Sequence, residues 1–183
     1  MRKLWTGVLA AALMTIAAAR PARAGSEYSS ALGLCIQPSA GLSSWDGDVI
    51  VQVDRSTCIN NYDASMFWSV EYIRDANGLH WFHFRNEGAT GGGFDRCLDL
   101  TDGNTADGTQ LQLWTCNITS DTMLWTFMTD ANGKTRIVNK RSGKCMDVRA
   151  GSEAPGAAIQ NYHCASTTFG RPNLAQQWIA GPR

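Results

Sequence analysis

The sequence carries only 3 histidines, and neither charge sign is in excess: 16 Lys and Arg stand against 16 Asp and Glu in 183 residues. With no basic block there is no electrostatic footprint for nucleic acid or an anionic membrane. After residue 25 no apolar run approaches the roughly 20 residues a membrane-spanning helix needs. No Cys-x-x-Cys spacing suggests zinc, and no Gly-x-Ser-x-Gly suggests a serine nucleophile. Gly91-Gly92-Gly93 lacks the Gly-Lys-Ser/Thr of a phosphate loop. His80 and His83 lie three apart in an alternating run, on opposite faces of a strand, so they form no metal pair. In Asp102–Gly108, Ala106 and Asp107 occupy positions where a calcium loop needs a ligand and a glycine, and Leu113 stands where its closing glutamate belongs. No cofactor is expected.

What is present begins with a leader. Arg2 and Lys3, an apolar run from about Leu4 to Ala19, and the ending Ala22-Arg23-Ala24 read as a secretory signal peptide over 1–24, with a single mature domain over 25–183. Its removal takes four basic residues and no acid, leaving a net charge of −4. Export permits disulfides. The six cysteines fall in order at 35, 58, 97, 116, 145 and 164, and their spacings predict Cys35–Cys58, Cys97–Cys116 and Cys145–Cys164. Asn117-Ile118-Thr119 is a glycosylation sequon, meaningful only in a eukaryotic secretory pathway.

Other residues keep the same beat as the cysteines. A tryptophan follows each second cysteine, in Met66-Phe67-Trp68, Met123-Leu124-Trp125 and Gln176-Gln177-Trp178. After the first two, Asp-Ala-Asn-Gly recurs at 75–78 and 130–133, and Asn-Gly predicts a tight hairpin with positive φ at both turn positions. Alternating strands follow, LHWFHFRN and TRIVNK. No segment keeps a helical period beyond about two turns. The class is all-β, in three repeats over about 28–82, 83–135 and 136–183.

Cys97-Leu98-Asp99, Gln112-Leu113-Trp114-Thr115-Cys116 and the closing Gln-x-Trp give the chain from Tyr28 to Ala180 a resemblance to the ricin-type β-trefoil lectin domain. It is strongest in the second repeat, good in the third and weak in the first. The resemblance implies a closed, pseudo-threefold barrel of hairpins, three core tryptophans and up to three shallow sugar pockets. It places sugar contacts at Asp99, Gln112 and Trp114, and at Asp147, Gln160, Tyr162 and Gln176. The chemistry fits. A carboxylate accepts from two adjacent hydroxyls, an amide both donates and accepts, and a ring covers the C–H face of a galactose-type sugar. Residues two apart share a strand face, so Gln112 and Trp114 point outward while Leu113 faces the core. In the second repeat Met123, preceded by Thr122, replaces Gln176. In the first, the equivalents are read as Gln37, Asp54 and Ser56, a set without the required carboxylate and ring.

Taken singly, Asp99 and Asp147 suit backbone caps equally well, and Trp114 a core position better than a platform. Their joint recurrence in two repeats favours a secreted, non-catalytic binder of galactose-type glycans. Three rivals stand beside it: a glycosidase, a protein-binding or inhibitor trefoil acting through Pro38–Asp48, and the cell-binding subunit of a multi-chain toxin or hydrolase. Against the glycosidase, each pocket holds one carboxylate. Trp45 and Asp46, in that longer loop, suit either a new contact or a lid on the core.

Overall fold

The computed structural model describes residues 26–54, 56–57, 63–89, 91–165 and 173–181. The expected leader and Cys58, hence the Cys35–Cys58 pair, lie outside them. Their strands are β1 (Ser26–Ser30), β2 (Cys35–Pro38), β3 (Ile50–Val53), β4 (Phe67–Ala76), β5 (Leu79–Asn86) and β6 (Arg96–Leu100). β7 (Thr109–Thr115), β8 (Trp125–Thr129), β9 (Thr135–Asn139), β10 (Cys145–Val148), β11 (Ile159–Tyr162) and β12 (Trp178–Gly181) follow.

Three antiparallel pairs, β4–β5, β8–β9 and β12–β1, form a barrel. β1 also pairs with β4 and β5 with β8, while β9 packs beside β12. Three further hairpins, β2–β3, β6–β7 and β10–β11, cap it. Each cap joins the barrel at its first cysteine, in the pairs Ser29↔Cys35, Arg85↔Cys97 and Val138↔Cys145. This is a β-trefoil of three four-stranded units.

The three closing tryptophans are core residues, all buried. Each indole Nε1 donates to a backbone carbonyl of its own cap: Trp68 to Ile36 at 3.2 Å, Trp125 to Leu98 at 3.1 Å and Trp178 to Met146 at 3.0 Å. Every core tryptophan is thus fixed by one polar handle as well as by packing. Leu98, Leu100, Leu111 and Leu113 fill the centre with Ile36, Ile50, Met146 and Ile159.

The caps are linked in a ring. The loop of the first cap lies on β7, with Gly47 N donating to Leu113 O and Leu113 N to Asp48 O, both at 2.8 Å. The start of β7 lies on β11 through Thr109↔Asn161 and Gln110↔Gln160. The loop of the third cap returns to β3, where Gln52 N donates to Ala157 O at 2.9 Å. The equivalents of Leu113 here are the buried amides Gln52 and Asn161, and each clamps the incoming loop. Gln52 Nε2 donates to Ser152 O and Ala154 O, and Asn161 Nδ2 donates to Thr105 O and Ala106 O.

The two Asp-Ala-Asn-Gly stretches form different turns. Asn77 and Gly78 have φ of 55° and 73°, the two-residue loop expected. In the second only Gly133 is positive, at 74°. Asp130 Oδ1 accepts from Asn132 N and Lys134 N, both at 2.9 Å, and this side-chain clasp widens the loop.

Candidate functional site

In the second repeat, β6 and β7 set Asp99 opposite Gln112 and Cys97 opposite Trp114. All four occupy the face away from Leu98, Leu111 and Leu113, which the core demands. Cys97–Cys116 closes the end of this hairpin with an S–S bond of 2.02 Å. Asp99 Oδ2 accepts from Gln112 Nε2 at 3.1 Å, and Oδ1 from Thr122 Oγ1 at 2.6 Å. Its partners are side chains and its place is inside a strand, so it does not serve as a turn cap. Asp99 is only 6 % exposed, deeper than the free rim position expected, and the reason is that Gln112 and Thr122 close over both oxygens. It still lines an open cleft of about 460 Å³ with Trp114, Asn117, Ser120, Thr122 and Met123. Trp114 stands 45 % exposed at its side.

In the third repeat, Asp147 lies opposite Gln160 and Cys145 opposite Tyr162, with Cys145–Cys164 bonded. Asp147 Oδ1 accepts from Gln160 Nε2 at 2.8 Å and Oδ2 from Gln176 Nε2 at 3.0 Å. Gln160 Oε1 takes Arg149 Nε at 3.0 Å, and Gln176 Oε1 takes Ala165 N at 2.8 Å. Burial raises the Asp147 carboxyl above its ordinary pKa, with Gln160, Gln176 and His163 pulling it part of the way back. The half-buried Tyr162 ring lies 4.5 Å from that of His163. Lys144 and His163 in turn hold Asp107, from the second repeat's loop, at 2.7 and 2.9 Å, which lowers the Asp107 carboxyl to about 2.

The two constellations share one plan: a carboxylate, an amide directly across the ladder, a ring two residues further on and a disulfide behind. They differ in the second partner. Thr122 does for Asp99 what Gln176 does for Asp147, although Gln176 aligns with Met123 in sequence. The hydroxyl is shorter than the amide and comes from the preceding position of the same tight turn, residues 121–123.

The first repeat needs a correction. Cys35 pairs with Val53 and Gln37 with Val51, so the equivalents of Gln112 and Trp114 are Val51 and Val53, not Asp54 and Ser56. Cys58 follows Val53 by five residues, whereas Cys116 follows Trp114 by two, and this insertion displaced the sequence register. Asp54 instead accepts from Ser56 N at 2.9 Å, a local turn. Trp45 is exposed and is no lid on the core. Its ring lies 5.1 Å from the Arg96 guanidinium, and Asp46 ties the loop to Arg96 and Thr115. His83 is buried within 4.8 Å of Cys97 and Cys116, but those sulfurs are bonded to each other and offer no thiolate.

The profile of the family described as ricin-type beta-trefoil lectin domain-like matches residues 67–162, more than half of the chain. The chain belongs to that family. Among solved structures this ricin-type trefoil is similar to the designed threefold-symmetric protein ThreeFoil, with a TM-score of 0.70 and 18 % identity over 86 % of this chain and 98 % of that one. It is similar to an exo-beta-1,3-galactanase from Clostridium thermocellum, with a TM-score of 0.67 and 23 % identity over 87 % of this chain and 30 % of the galactanase. It is also similar to the Polyporus squamosus lectin bound to Neu5Aca2-6Galb1-4GlcNAc, with a TM-score of 0.59 and 18 % identity over 85 % of this chain and 47 % of the lectin. At these identities the likeness is one of fold. The trefoil spans less than half of the galactanase and of the fungal lectin. A search of curated proteins gives no match.

Proposed function

We propose that this ricin-type trefoil is a secreted, non-catalytic lectin module that takes galactose-type sugars in two pockets, one around Asp99 and one around Asp147. The observation that carries the reading is the repetition of a carboxylate–amide pair and an adjacent ring on the outer face of two caps. Core packing does not require it, since the first cap has Gln37, Val51 and Val53 in the same places. In each pocket the sugar's vicinal hydroxyls meet the carboxylate, and the C–H face meets Trp114 or Tyr162. The Asp99 cleft is wide and has the larger exposed ring. The Asp147 pocket has its carboxylate held by two amides and is the more rigid acceptor.

A single carboxylate in each pocket, with the two pockets in different repeats, supplies no acid–base pair for hydrolysis. The module's partners are glycans and a separately encoded toxin or catalytic chain, the latter supported by the likeness to a chain of the Haemophilus ducreyi cytolethal distending toxin, 15 % identical and covered over 82 % of its length. The decisive experiment is a glycan array with the purified mature chain. Signal confined to galactose-terminated glycans, and lost in Asp99→Ala with Asp147→Ala, is the expected result. An array with no glycan signal would return the 38–48 loop and a protein ligand to first place.

A further inference from the structure

Toward its tip, the face of the β8–β9 hairpin turned away from Trp125, Phe127 and Ile137 carries cross-strand neighbours that the two sugar pockets do not use, while at Thr126 and Val138 the same face is buried. Met128 lies opposite Arg136 and Thr126 opposite Val138, while Asp130 N donates to Lys134 O at 2.9 Å, bringing Asp130 and Lys134 together at the hairpin end. Trp125, Phe127 and Ile137 alternate with them and face inward. Met128, Asp130, Lys134, Arg136 and Val138 line a cleft of about 410 Å³, which Gly143 and Cys164 complete. The volume falls in the range of small-ligand sites, about 300–1,000 Å³.

Pseudosymmetry shows that the fold does not require a cation at the Arg136 position. Trp68 and Trp125 are equivalent core residues, which makes the pair Glu71↔His83 on β4–β5 the counterpart of Met128↔Arg136. In that hairpin the charge is neutralised: Arg85 Nε bonds to Glu71 Oε1 at 2.6 Å, and His83 is buried. Within the described residues Arg136 and Lys134 enter no ion pair, and Met128 beside them is 50 % exposed. Successive same-face positions of a strand are about 6.6 Å apart, so the two cations reach across one sugar ring.

We propose that this cleft is a third ligand site, one that takes a saccharide bearing a single carboxylate or sulfate per sugar. Arg136 presents a planar fork that matches either anion, and Lys134 adds a second point charge. Asp130 selects for a sugar over a bare anion or a polyanion. Its Oδ1 is held by Asn132 N and Lys134 N, while Oδ2 remains for hydroxyls. As a negative charge inside the cleft it repels densely charged chains. Met128 and the Cys164 end of the Cys145–Cys164 disulfide supply the apolar surface for the C–H face. The same disulfide backs the Tyr162 pocket, so an acidic oligosaccharide longer than one unit runs from one site toward the other.

The site is tested by calorimetry and amide-shift mapping on the mature chain. The probes are trigalacturonate for the carboxylate, galactose 6-sulfate for the sulfate, lactose as neutral control and inorganic phosphate as bare anion. Trigalacturonate or galactose 6-sulfate, or both, shift the amides of 128–136, and Lys134→Gln with Arg136→Gln weakens that probe at least about 10-fold at an unchanged melting temperature. Lactose is unaffected by this double change. Asp99→Ala with Asp147→Ala leaves the 128–136 shifts in place, so failure of the galactose reading and failure of this one are separable. The proposal is overturned if neither charged sugar perturbs 128–136 at millimolar concentration, if the double variant binds them as the parent does, or if phosphate alone competes as well as the sugars.

Discussion

Thr122 Oγ1 donates to Asp99 Oδ1 at 2.6 Å, so a threonine holds the carboxylate that an amide holds in the neighbouring repeat. The bond orients one oxygen and leaves the acceptor facing the cleft. In an Asp147→Ala background, Thr122→Ala weakens sugar binding at the remaining pocket about 10-fold, equivalent to about 1.4 kcal/mol. Calorimetry on that pair of variants measures it, and an unchanged affinity would remove Thr122 from the site.

Trp114 and Trp125 belong to one repeat and have opposite surroundings. Trp125→Ala leaves a cavity in the core and an unpaired Leu98 carbonyl, and costs about 3–5 kcal/mol of stability. Trp114→Ala removes an exposed ring, leaving the melting temperature nearly unchanged while second-repeat binding falls. Thermal melts beside galactose-resin retention separate the two. Equal unfolding by both changes would make Trp114 structural.

Asp147 gives the third repeat its own pH dependence. A raised carboxyl pKa means the proton returns at a higher pH than for an ordinary aspartate, so the acceptor is lost early on acidification. With Asp99→Ala in place, retention should fade as pH falls toward the carboxylate range, beginning above the ordinary value of 3.8. The same sign applies to folding. The protonated form fits the buried position better, and that advantage, complete below the unfolded pKa, disappears as pH rises through the folded one. Retention that persists unchanged well below the ordinary aspartate value would contradict the assignment.

Asp107 runs the other way. Lys144 and His163 lower its carboxyl from 3.8 to about 2, so its contribution is present above the unfolded value and lost as pH falls through the folded one. Asp107→Asn should lower the melting temperature slightly at neutral pH, with the two curves meeting near pH 2. The group is exposed and screened, so the effect shrinks with salt. A gap that stays constant across the acid range would mean the ion pairs contribute nothing.

The core tryptophans, the second and third cystines and both carboxylate–amide pairs were legible because each depends on spacing along one hairpin. Leu98 between Cys97 and Asp99, and Leu113 between Gln112 and Trp114, fix which side faces out. What escaped depends on register between strands or on side-chain reach. Val51 and Val53 could be recognised as the first-repeat equivalents only from their pairing with Gln37 and Cys35, because an insertion precedes Cys58. Thr122 sits one position off the Gln-x-Trp frame, and a hydroxyl's short reach is not written in a motif. The second Asn-Gly turn differs from the first because Asp130 bonds its own loop, while Asp75 continues a strand. Lys134 and Arg136 look like ordinary surface charges until the hairpin sets them beside Met128 above a cystine.

The ring of caps governs how the molecule assembles. The first and second contacts in that ring, Gly47 with Leu113 and Thr109 with Asn161, span shorter stretches of chain than the third, which brings Ser152 and Ala154 back to Gln52, 100 and 102 residues away. Until that return is made, Gln52 is a buried amide without its partners and the first cap has an open flank. This return is the longest-range of the three cap contacts, and its loop-closure entropy bears more on the rate of folding than on the final stability. Damage in any one repeat is then felt by the other two, so the two pockets, though chemically separate, share one cooperative lifetime.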